Sequence, residues 1–235
     1  MNNEKPIKLH LGCQEKYLEG YVNIDLPPSE HTAQEVKADI YADVRDLDYE
    51  TKTIDEVRSH HLLEHFSRQG ALVLLARWHR WLKIGGLLMV ETPDFEESAK
   101  KFVSASIDDQ FVLARHIFGS HEASWAYHMD FWSESKYRYV LDLLGFGEFK
   151  FDKFSNNLES KLPISKTLGL SVAEPLLKSL DKFGFNFLPN IICSAKKTKE
   201  ISDYRPVIKK ILEKSLVGRE TKILDVWLKD LPDKI

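Results

Sequence analysis

Two acidic residues and one glycine stand at the ends of short apolar runs in the first fifth of the chain. Gly12 follows the run "KLHL", Asp25 ends the run "YVNID", and Asp43 ends the next one. In an open parallel sheet, ligands bind beyond the carboxyl ends of the strands, so these residues should meet at one binding edge. A carboxylate there can accept both hydroxyls of a ribose. The pattern predicts a nucleoside site.

The residues after Gly12 do not suit a dinucleotide. A dinucleotide site uses G-x-G-x-x-G, because two further glycines let a helix N-terminus approach the pyrophosphate. The positions after Gly12 instead read "CQEKY", and the stretch up to Gly20 leaves room for little more than one helical turn. We therefore expect a cofactor with adenine and ribose but no phosphate. S-adenosyl-L-methionine (SAM) is such a molecule.

Histidines and aromatic residues are concentrated in the stretch "GSHEASWAYHMDFW" at residues 119–132, which has no regular period. Histidine can take a proton from an acceptor hydroxyl or amine, and His128 is the first candidate for this role, with His65 and His121 next. Aromatic rings can stack on a sugar, enclose a methylated ammonium or anchor the loop. The candidate substrate contacts are Trp125, Tyr127, Trp132 and Arg115.

A metal site is the alternative interpretation of the histidines in "HLLEHF". In helical spacing His61 and His65 would share one face, as metal ligands often do. The glutamate of H-E-x-x-H is missing between them. We therefore expect no metal at this position.

The elements that must position these residues follow an α/β pattern, in which apolar runs bounded by turn residues alternate with stretches of helical period. The predicted strands span residues 7–11, 21–25, 38–43, 54–59, 87–91, 146–154 and 187–196. The clearest helix is "RQGALVLLARWHRWLK", which should stop at the glycine turn "IGG". Further helices are expected at residues 95–105, 108–118, 133–144 and 171–183.

The C-terminal part has a different composition. A charged linker after residue 196 precedes two amphipathic helices. We predict a main domain at residues 1–197 and a helical C-terminal extension at residues 198–235. The apolar stripes of the extension should pack on the same subunit or, as a second possibility, form a homodimer contact.

Composition limits the class of partner. The chain of 235 residues is 43% hydrophobic and carries 33 basic against 36 acidic residues, a net charge of −3. This balance gives no field that would attract nucleic acid or an anionic membrane, so a small-molecule substrate is expected. The two cysteines follow no paired spacing, and the N-terminus lacks the pattern of a secretory signal, so we expect a soluble cytoplasmic protein.

Five segments, in order, resemble motifs of the class I SAM-dependent methyltransferases. They are "LHLGCQ", "NID", "ADVRDLDY", "IDEVRSHHLLEHF" and "LKIGGLLMVETPDF". The segment "IFGSHEASWAYHMDFWSESKYRYVLDLLGF" is similar to one in small bacterial members associated with surface-sugar biosynthesis. Gln14 and Ile84 depart from the usual glycine and proline. The resemblance covers about residues 5–155.

The resemblance implies a Rossmann-like, mostly parallel seven-stranded sheet with helices on both faces, and SAM as cofactor. It also implies a role for each matched position. Gly12 and the backbone near Cys13 would contact the methionine end, and Asp25 the ribose. Asp43 and Val44 would hold the adenine. Ser59 and His60 would lie near the sulfonium.

Three functions remain open from the sequence. The first is methyl transfer by in-line displacement to a hydroxyl of a sugar or sugar nucleotide. The second is N-methylation of a small amino alcohol phosphate. The third is a non-catalytic subunit with the same fold, but Gly12, Asp25 and Asp43 all remain in place, which disfavours loss of the cofactor site.

Overall fold

The strands form one sheet in the computed structural model, which describes residues 5–31, 35–155, 188–233 and 235. They are β1 (Lys8–Leu11), β2 (Val22–Asp25), β3 (Ile40–Tyr41), β4 (Ile54–His60), β5 (Leu82–Pro93), β6 (Phe146–Ser155) and β7 (Pro189–Lys197). Their order is β3-β2-β1-β4-β5-β7-β6. Strands β1 to β5 pair in parallel, whereas β7 runs antiparallel to β5 and β6. The predicted mostly parallel, seven-stranded sheet is confirmed.

The strand order reverses between β1 and β4. Leu11 at the end of β1 is paired with Ile24 of β2 on one side and with Ser59 of β4 on the other. Such a reversal leaves a crevice beyond the carboxyl ends of the strands, because the connecting segments leave in opposite directions. The sheet therefore presents its binding edge just after Leu11, at Gly12.

The helices agree with the predicted periodicity. They are α1 (Arg68–Trp81), α2 (Phe95–Ser104), α3 (Ile107–Phe118), α4 (Glu134–Leu143), α5 (Tyr204–Leu212) and α6 (Thr221–Lys229). Five of them begin after a serine or aspartate whose side chain accepts a first-turn N–H: Ser67, Asp94, Ser106, Ser133 and Asp203. The helix predicted at residues 171–183 lies outside the described residues. No described helix has the length and apolarity needed to cross a bilayer.

The core lies between α1 and the sheet. Leu72, Leu75 and Trp78 recur at three-residue steps of α1 and are buried, and Trp81 is buried beside them. Burying each large apolar side chain contributes about 1.5–3 kcal/mol. This helix therefore fixes the position of the segment that precedes it, which carries Glu64 and His65.

The prediction that α1 ends at a glycine turn at "IGG" is wrong. Helix α1 ends at Trp81, β5 begins at Leu82, and the glycines lie inside the strand. There the pairing shifts from Ile54 with Leu82 to Glu56 with Leu87, so the chain bulges by several residues. Gly85 takes φ +80°, which a side chain would strain. The glycines bend a strand and do not terminate a helix.

The two C-terminal helices pack on the same chain. Tyr204 and Ile208 of α5 are buried in the same hydrophobic cluster as α1, and Leu224 of α6 joins them. His79 of α1 lies 2.8 Å from the hydroxyl of Tyr204 through its Nδ1. The stripe of α5 is thus covered within one chain, whereas Ile223 on α6 stays 40% exposed. A homodimer and a domain boundary at residue 197 stay predictions.

Candidate active site

A cavity of about 450 Å³ opens beyond the carboxyl ends of the central strands. This volume is in the range of small-molecule sites. Of the residues predicted to bind cofactor, substrate or proton, six line the cavity: Gly12, Asp25, Asp43, Val44, His65 and Trp125. The structure thus brings together residues that span more than a hundred positions of sequence.

Gly12 makes the turn at the bottom of the cavity. Its φ is +67°, and an added Cβ would lie 3.0 Å from the Cβ of Leu62. Its N–H donates to the carbonyl of Ile24 at 2.9 Å. Glycine is therefore required both for the backbone conformation and for space. The adjacent Cys13 is fully buried, and burial together with nearby Asp25 raises the pKa of its thiol to about 12, so the thiol stays protonated.

Asp25 is held in one orientation by the backbone around it. Its Oδ2 accepts the N–H of Gln14 at 2.7 Å, and its Oδ1 accepts the N–H of Leu26 at 2.7 Å. The Nε2 of His31 lies 3.2 Å from Oδ1. A carboxylate offers about four acceptor positions, so acceptor capacity is left on Oδ2. An oxygen fixed in this way at the cavity wall suits a ribose hydroxyl.

Asp43 carries a second carboxylate on the wall, one strand away from Asp25. Arg45 holds it with a forked contact, in which Nη2 lies 2.5 Å and Nε 3.0 Å from Oδ2. The bond from Arg45 lowers the pKa of Asp43, so the carboxylate is charged at neutral pH. Val44 is buried beside it. An apolar surface next to a carboxylate matches an adenine ring with its exocyclic amine.

Ser59 and His60 are buried at the end of β4 and do not line the cavity. The Nε2 of His60 lies 2.9 Å from Oε1 of Glu91 and also contacts the ammonium of Lys16. The next residue, His61, has φ +43° and stands on the cavity wall instead. His61 is not among the residues that the sequence predicts for the cofactor site.

His61 lies between two buried glutamates. Its Nδ1 is 3.1 Å from Oε1 of Glu64, and its Nε2 is 3.5 Å from Oε1 of Glu91. Burial alone would lower the pKa of His61, but the hydrogen bonds to both carboxylates raise it to about 9. His61 is therefore an imidazolium at neutral pH. The sequence feature that indicates the contact between Glu64 and His61 is their three-residue spacing in "HLLEH".

His65 lines the cavity, and His128 contacts it from outside that lining. Their ring centroids lie 4.7 Å apart with the planes at 82°. The loop reaches this position because the N–H of His128 donates to the carbonyl of Phe118 and that of Met129 to the carbonyl of Glu64. Burial lowers the pKa of His128, so this ring is neutral near pH 7. Two candidate bases thus converge.

The third candidate base lies apart from this pair. His121 is exposed, its Nε2 lies 2.9 Å from the carbonyl of Phe118, and its ring stacks on Tyr127 at 4.1 Å. Tyr127 itself is half-exposed and outside the cavity lining. Arg115 is exposed on α3 and also outside that lining.

The two predicted tryptophan contacts have different environments. Trp125 lines the cavity, and its Nε1 donates to the carbonyl of Glu30 at 2.8 Å, while its ring lies 5.2 Å from that of His31. Trp132 is only 1% exposed and stacks on Tyr137. Trp125 therefore links the loop at residues 119–132 to the segment after β2, whereas Trp132 anchors the loop in the core.

Comparison with known proteins identifies a methyltransferase segment in the part of the chain that forms most of the cavity. Residues 9–90 match the family model described as a methyltransferase domain. This segment contains most of β1 and β5, all of β2 to β4, and the cavity residues from Gly12 to His65. A search of curated proteins finds no significant match.

Solved structures share the fold at low sequence identity. A chain in the complex of the Haloferax volcanii Trm112 methyltransferase activator with a methyltransferase is 15% identical, with a TM-score of 0.50 and 85% of each chain covered. A SAM-dependent methyltransferase from Archaeoglobus fulgidus is 19% identical, with a TM-score of 0.48, 82% of this chain and 86% of that chain covered. At this identity such similarity concerns the fold.

The match of residues 9–90 to a methyltransferase domain, together with the sheet order and the cavity, supports the class of SAM-dependent methyltransferases. The residues present fit the cofactor. The turn at Gly12 leaves no room for a side chain, and the carboxylates of Asp25 and Asp43 stand on the cavity wall. The prediction of SAM as cofactor is confirmed at this level.

Proposed function

We propose that the protein methylates a hydroxyl group of a sugar or sugar nucleotide. The observation that carries this proposal is the contact between His65, which lines the cofactor cavity, and His128, which lies next to it outside that lining. A hydroxyl must lose its proton when it is methylated, and a neutral imidazole at the acceptor end can receive that proton. Since the pKa of His128 is lowered by burial, its ring is in the required neutral form.

The residues of the chain would bind and orient both reactants. Asp25 accepts ribose hydroxyls, Asp43 accepts the adenine amine with Val44 against the ring, and Gly12 admits the methionine end. When bound, SAM supplies a methyl group on a sulfonium, an electrophile reactive enough that in-line positioning accounts for much of the catalysis. Trp125, on the cavity wall, offers an apolar face against which a sugar ring can stack.

The proton acceptor follows from the hydrogen bond of the His65 ring. A carbonyl oxygen can only accept, so His65 donates its Nδ1–H to the carbonyl of Tyr127, at 3.2 Å. The lone pair of its Nε2 is then available. The ring of His128 lies beside it, with the ring centroids 4.7 Å apart. We place the reaction in the cytoplasm, since the two cysteines are free and buried.

The cofactor part of this proposal is tested by calorimetric titration of SAM into Asp43→Asn. The amide loses the ion pair with Arg45 and one acceptor for the adenine amine, so affinity should fall about 10-fold. The matched control is Asp46→Asn, because Asp46 is exposed and outside the cavity lining. Equal affinities would place the adenine elsewhere, and no heat in the unmodified chain would indicate a non-catalytic subunit.

The acceptor part is tested with SAM labelled in its methyl group. The protein is incubated with hydroxyl acceptors, namely sugars and sugar nucleotides typical of surface-polysaccharide synthesis, and with amino alcohol phosphates. Product mass and the position of the label identify the methylated atom. Transfer to a hydroxyl supports the proposal, whereas transfer only to the nitrogen of an amino alcohol phosphate contradicts it.

A further inference from the structure

A set of three metal-ligating side chains lies beside the cofactor cavity. One carboxylate oxygen of Glu64 and one ring nitrogen each from His65 and His128 all lie within 4.8 Å of one another. Glu64 and His65 are fixed by the short 3₁₀ turn Leu63–His65, whereas His128 arrives from a loop more than sixty residues later. Two histidines and one carboxylate form a donor set of the kind that holds catalytic zinc.

The carboxylate of Glu64 has an unused oxygen. Glu64 is 2% exposed and accepts from Nδ1 of His61 through Oε1. Its Oε2 is buried and, among the residues that the structure describes, has no hydrogen-bond partner. Leaving such a charged atom unpaired costs on the order of 1–3 kcal/mol or more. A bound cation would supply the missing partner.

His61 is shared by two carboxylates. Its Nδ1 lies 3.1 Å from Oε1 of Glu64, and its Nε2 lies 3.5 Å from Oε1 of Glu91. Glu64 therefore uses one oxygen for His61 and keeps the other for a further partner.

The ring of His65 is oriented in the manner of a metal ligand. A ligating histidine usually donates its second ring N–H to a carbonyl or carboxylate, which fixes the tautomer and the direction of the lone pair. His65 has this arrangement with the carbonyl of Tyr127, which leaves its Nε2 for an ion. The ring of His128 packs against it, with the ring centroids 4.7 Å apart.

A second set of possible ligands, His60, His61 and Glu91, is less suitable. The ammonium of Lys16 contacts Nε2 of His60 and lies 4.0 Å from Oε1 of Glu91. A positive side chain among the ligands opposes a metal cation. Both ring nitrogens of His61 are also engaged with carboxylates.

We propose that Glu64, His65 and His128 bind one divalent transition-metal ion, with zinc the best match to two imidazoles and a carboxylate. Three protein ligands leave a coordination position open, which an acceptor hydroxyl oxygen can occupy. This inference departs from the metal-free site expected from the sequence. The role of the open position rests on the proposed function, whereas binding of the ion does not.

The ion changes how the acceptor loses its proton. A hydroxyl bound to a divalent cation has a lowered pKa, so it can release its proton to water before transfer. The oxygen then forms the new bond to the methyl carbon while the carbon–sulfur bond breaks, and its electron pair stays on sulfur as a neutral thioether. While the ion is bound, His65 and His128 are its ligands and water takes the proton; the role as proton acceptor proposed above applies to the two rings in the chain without the ion.

The ion site is tested on the full chain after removal of metals with a chelator and dialysis. Zn²⁺ is titrated by calorimetry, and bound metal is measured per chain. We expect about one ion per chain, with affinity reduced at least ~100-fold in Glu64→Gln and in His128→Ala, since loss of a ligand should exceed the effect of losing an outer partner. His121→Ala is the matched control, because His121 lies in the same loop but outside the ligand set.

Titration of SAM into each variant shows whether it is folded, because the cofactor contacts lie on other residues. If the stripped chain binds no Zn²⁺ in a saturable way, or if the variants bind it as tightly as the unmodified chain, the proposal is wrong. Hydroxyl methylation that is undiminished after metal removal would overturn the catalytic role. One ion bound without any hydroxyl methylation would support the site and contradict the proposed function.

Discussion

The Oδ2 atom of Asp25 accepts the backbone N–H of Gln14 at 2.7 Å, which ties the end of β2 to the turn after β1. Gln14 has φ +47°, an unusual conformation for a residue with a side chain. The bond to a charged oxygen stabilises this turn without a glycine-rich helix start. One carboxylate thus both shapes the cofactor turn and stands on the cavity wall.

Asp25→Asn tests this double role. The amide replaces one acceptor oxygen by an N–H₂ group that faces a backbone donor, at Gln14 or at Leu26. Hydrogen bonds to a charged group contribute about 1.5–3 kcal/mol, so we expect a loss of 1–3 kcal/mol in the free energy of unfolding. SAM affinity should fall by about 10-fold or more. Urea denaturation and calorimetry measure the two quantities.

Asp46→Asn serves again as the control for a change of charge on this side of the sheet. It should leave both quantities within about 0.5 kcal/mol of the unmodified chain, as expected for an exposed side chain. A variant at Asp25 with normal stability and normal SAM affinity would show that this carboxylate neither holds the turn nor meets the ribose.

Gly12 and Gly20 form a matched pair for separating backbone strain from lack of space. Both have positive φ, +67° and +82°, but an added Cβ meets Leu62 at 3.0 Å at Gly12 and nothing within 4 Å at Gly20. Each alanine variant should lose about 1–2 kcal/mol from the backbone conformation. Gly12→Ala should lose more, and it should also bind SAM more weakly.

Thermal unfolding and SAM titration of the two variants check this expectation. The informative quantity is the difference between them, because the conformational cost is common to both. If Gly12→Ala binds SAM as well as Gly20→Ala does, the turn does not approach the cofactor closely.

The strand tips could be read from the sequence because their signals are local. An apolar run that ends at Gly12 or Asp25 specifies a strand and its end, and the sheet order then brings the ends together. The local sequence could not show that His61, and not His60, stands on the cavity wall. The strand ends at His60, and a positive φ at His61 redirects the chain, so the alternation of side chains no longer applies.

The contact between His65 and His128 was beyond sequence reasoning for a different reason. The loop at residues 119–132 has no period, so nothing in it indicates which rings face the cavity. Trp132 stacks on Tyr137, Trp125 reaches the segment after β2, and His121 stacks on Tyr127. These contacts depend on tertiary packing, and a list of aromatic and histidine residues does not distinguish between them.

Ile208 tests how strongly the C-terminal helices are joined to the rest of the chain. Its side chain is fully buried in the cluster that includes α1. Ile208→Ala removes this contact and leaves a cavity, so the free energy of unfolding should fall by about 2–5 kcal/mol. Val226→Ala is the control, since Val226 lies on α6 and is 57% exposed.

Denaturation followed by two probes, tryptophan fluorescence and far-ultraviolet circular dichroism, measures this effect. A single transition that shifts as a whole would show that α5 unfolds together with the sheet. A loss as small as that of Val226→Ala would mean that α5 contributes little to stability and acts as a separate unit.

His79 should make the stability of the protein depend on pH. Its ring is fully buried, Nε2–H donates to the carbonyl of Lys199 at 3.0 Å, and Nδ1 accepts from the hydroxyl of Tyr204 at 2.8 Å. Burial, followed by the charge of Lys197, lowers its pKa from 6.5 to about 4. In the unfolded chain the ring takes up a proton below about pH 6.5, whereas in the folded chain it stays neutral until about pH 4.

The contribution of His79 is therefore present above pH 6.5 and is lost as the pH falls through this window. Between pH 7.5 and pH 5 the loss should be about 2 kcal/mol, because one pKa unit corresponds to 1.36 kcal/mol. His79→Gln keeps a donor and an acceptor but cannot titrate, so its stability should fall less over the same range. Other buried histidines, such as His10, contribute equally to both chains and cancel in the difference.

Tyr204→Phe provides the control, because it removes the hydroxyl that faces Nδ1 but leaves the histidine in its buried position. This variant should be less stable at every pH and should keep the pH dependence of the unmodified chain. Urea denaturation at pH 7.5 and pH 5 measures the free energy of unfolding of all three chains. Each variant is compared with the unmodified chain at each pH, which gives four differences. Parallel losses in His79→Gln and the unmodified chain would mean that His79 is protonated in the folded state, and the link from α1 to the C-terminal helices would then rest on a charged ring.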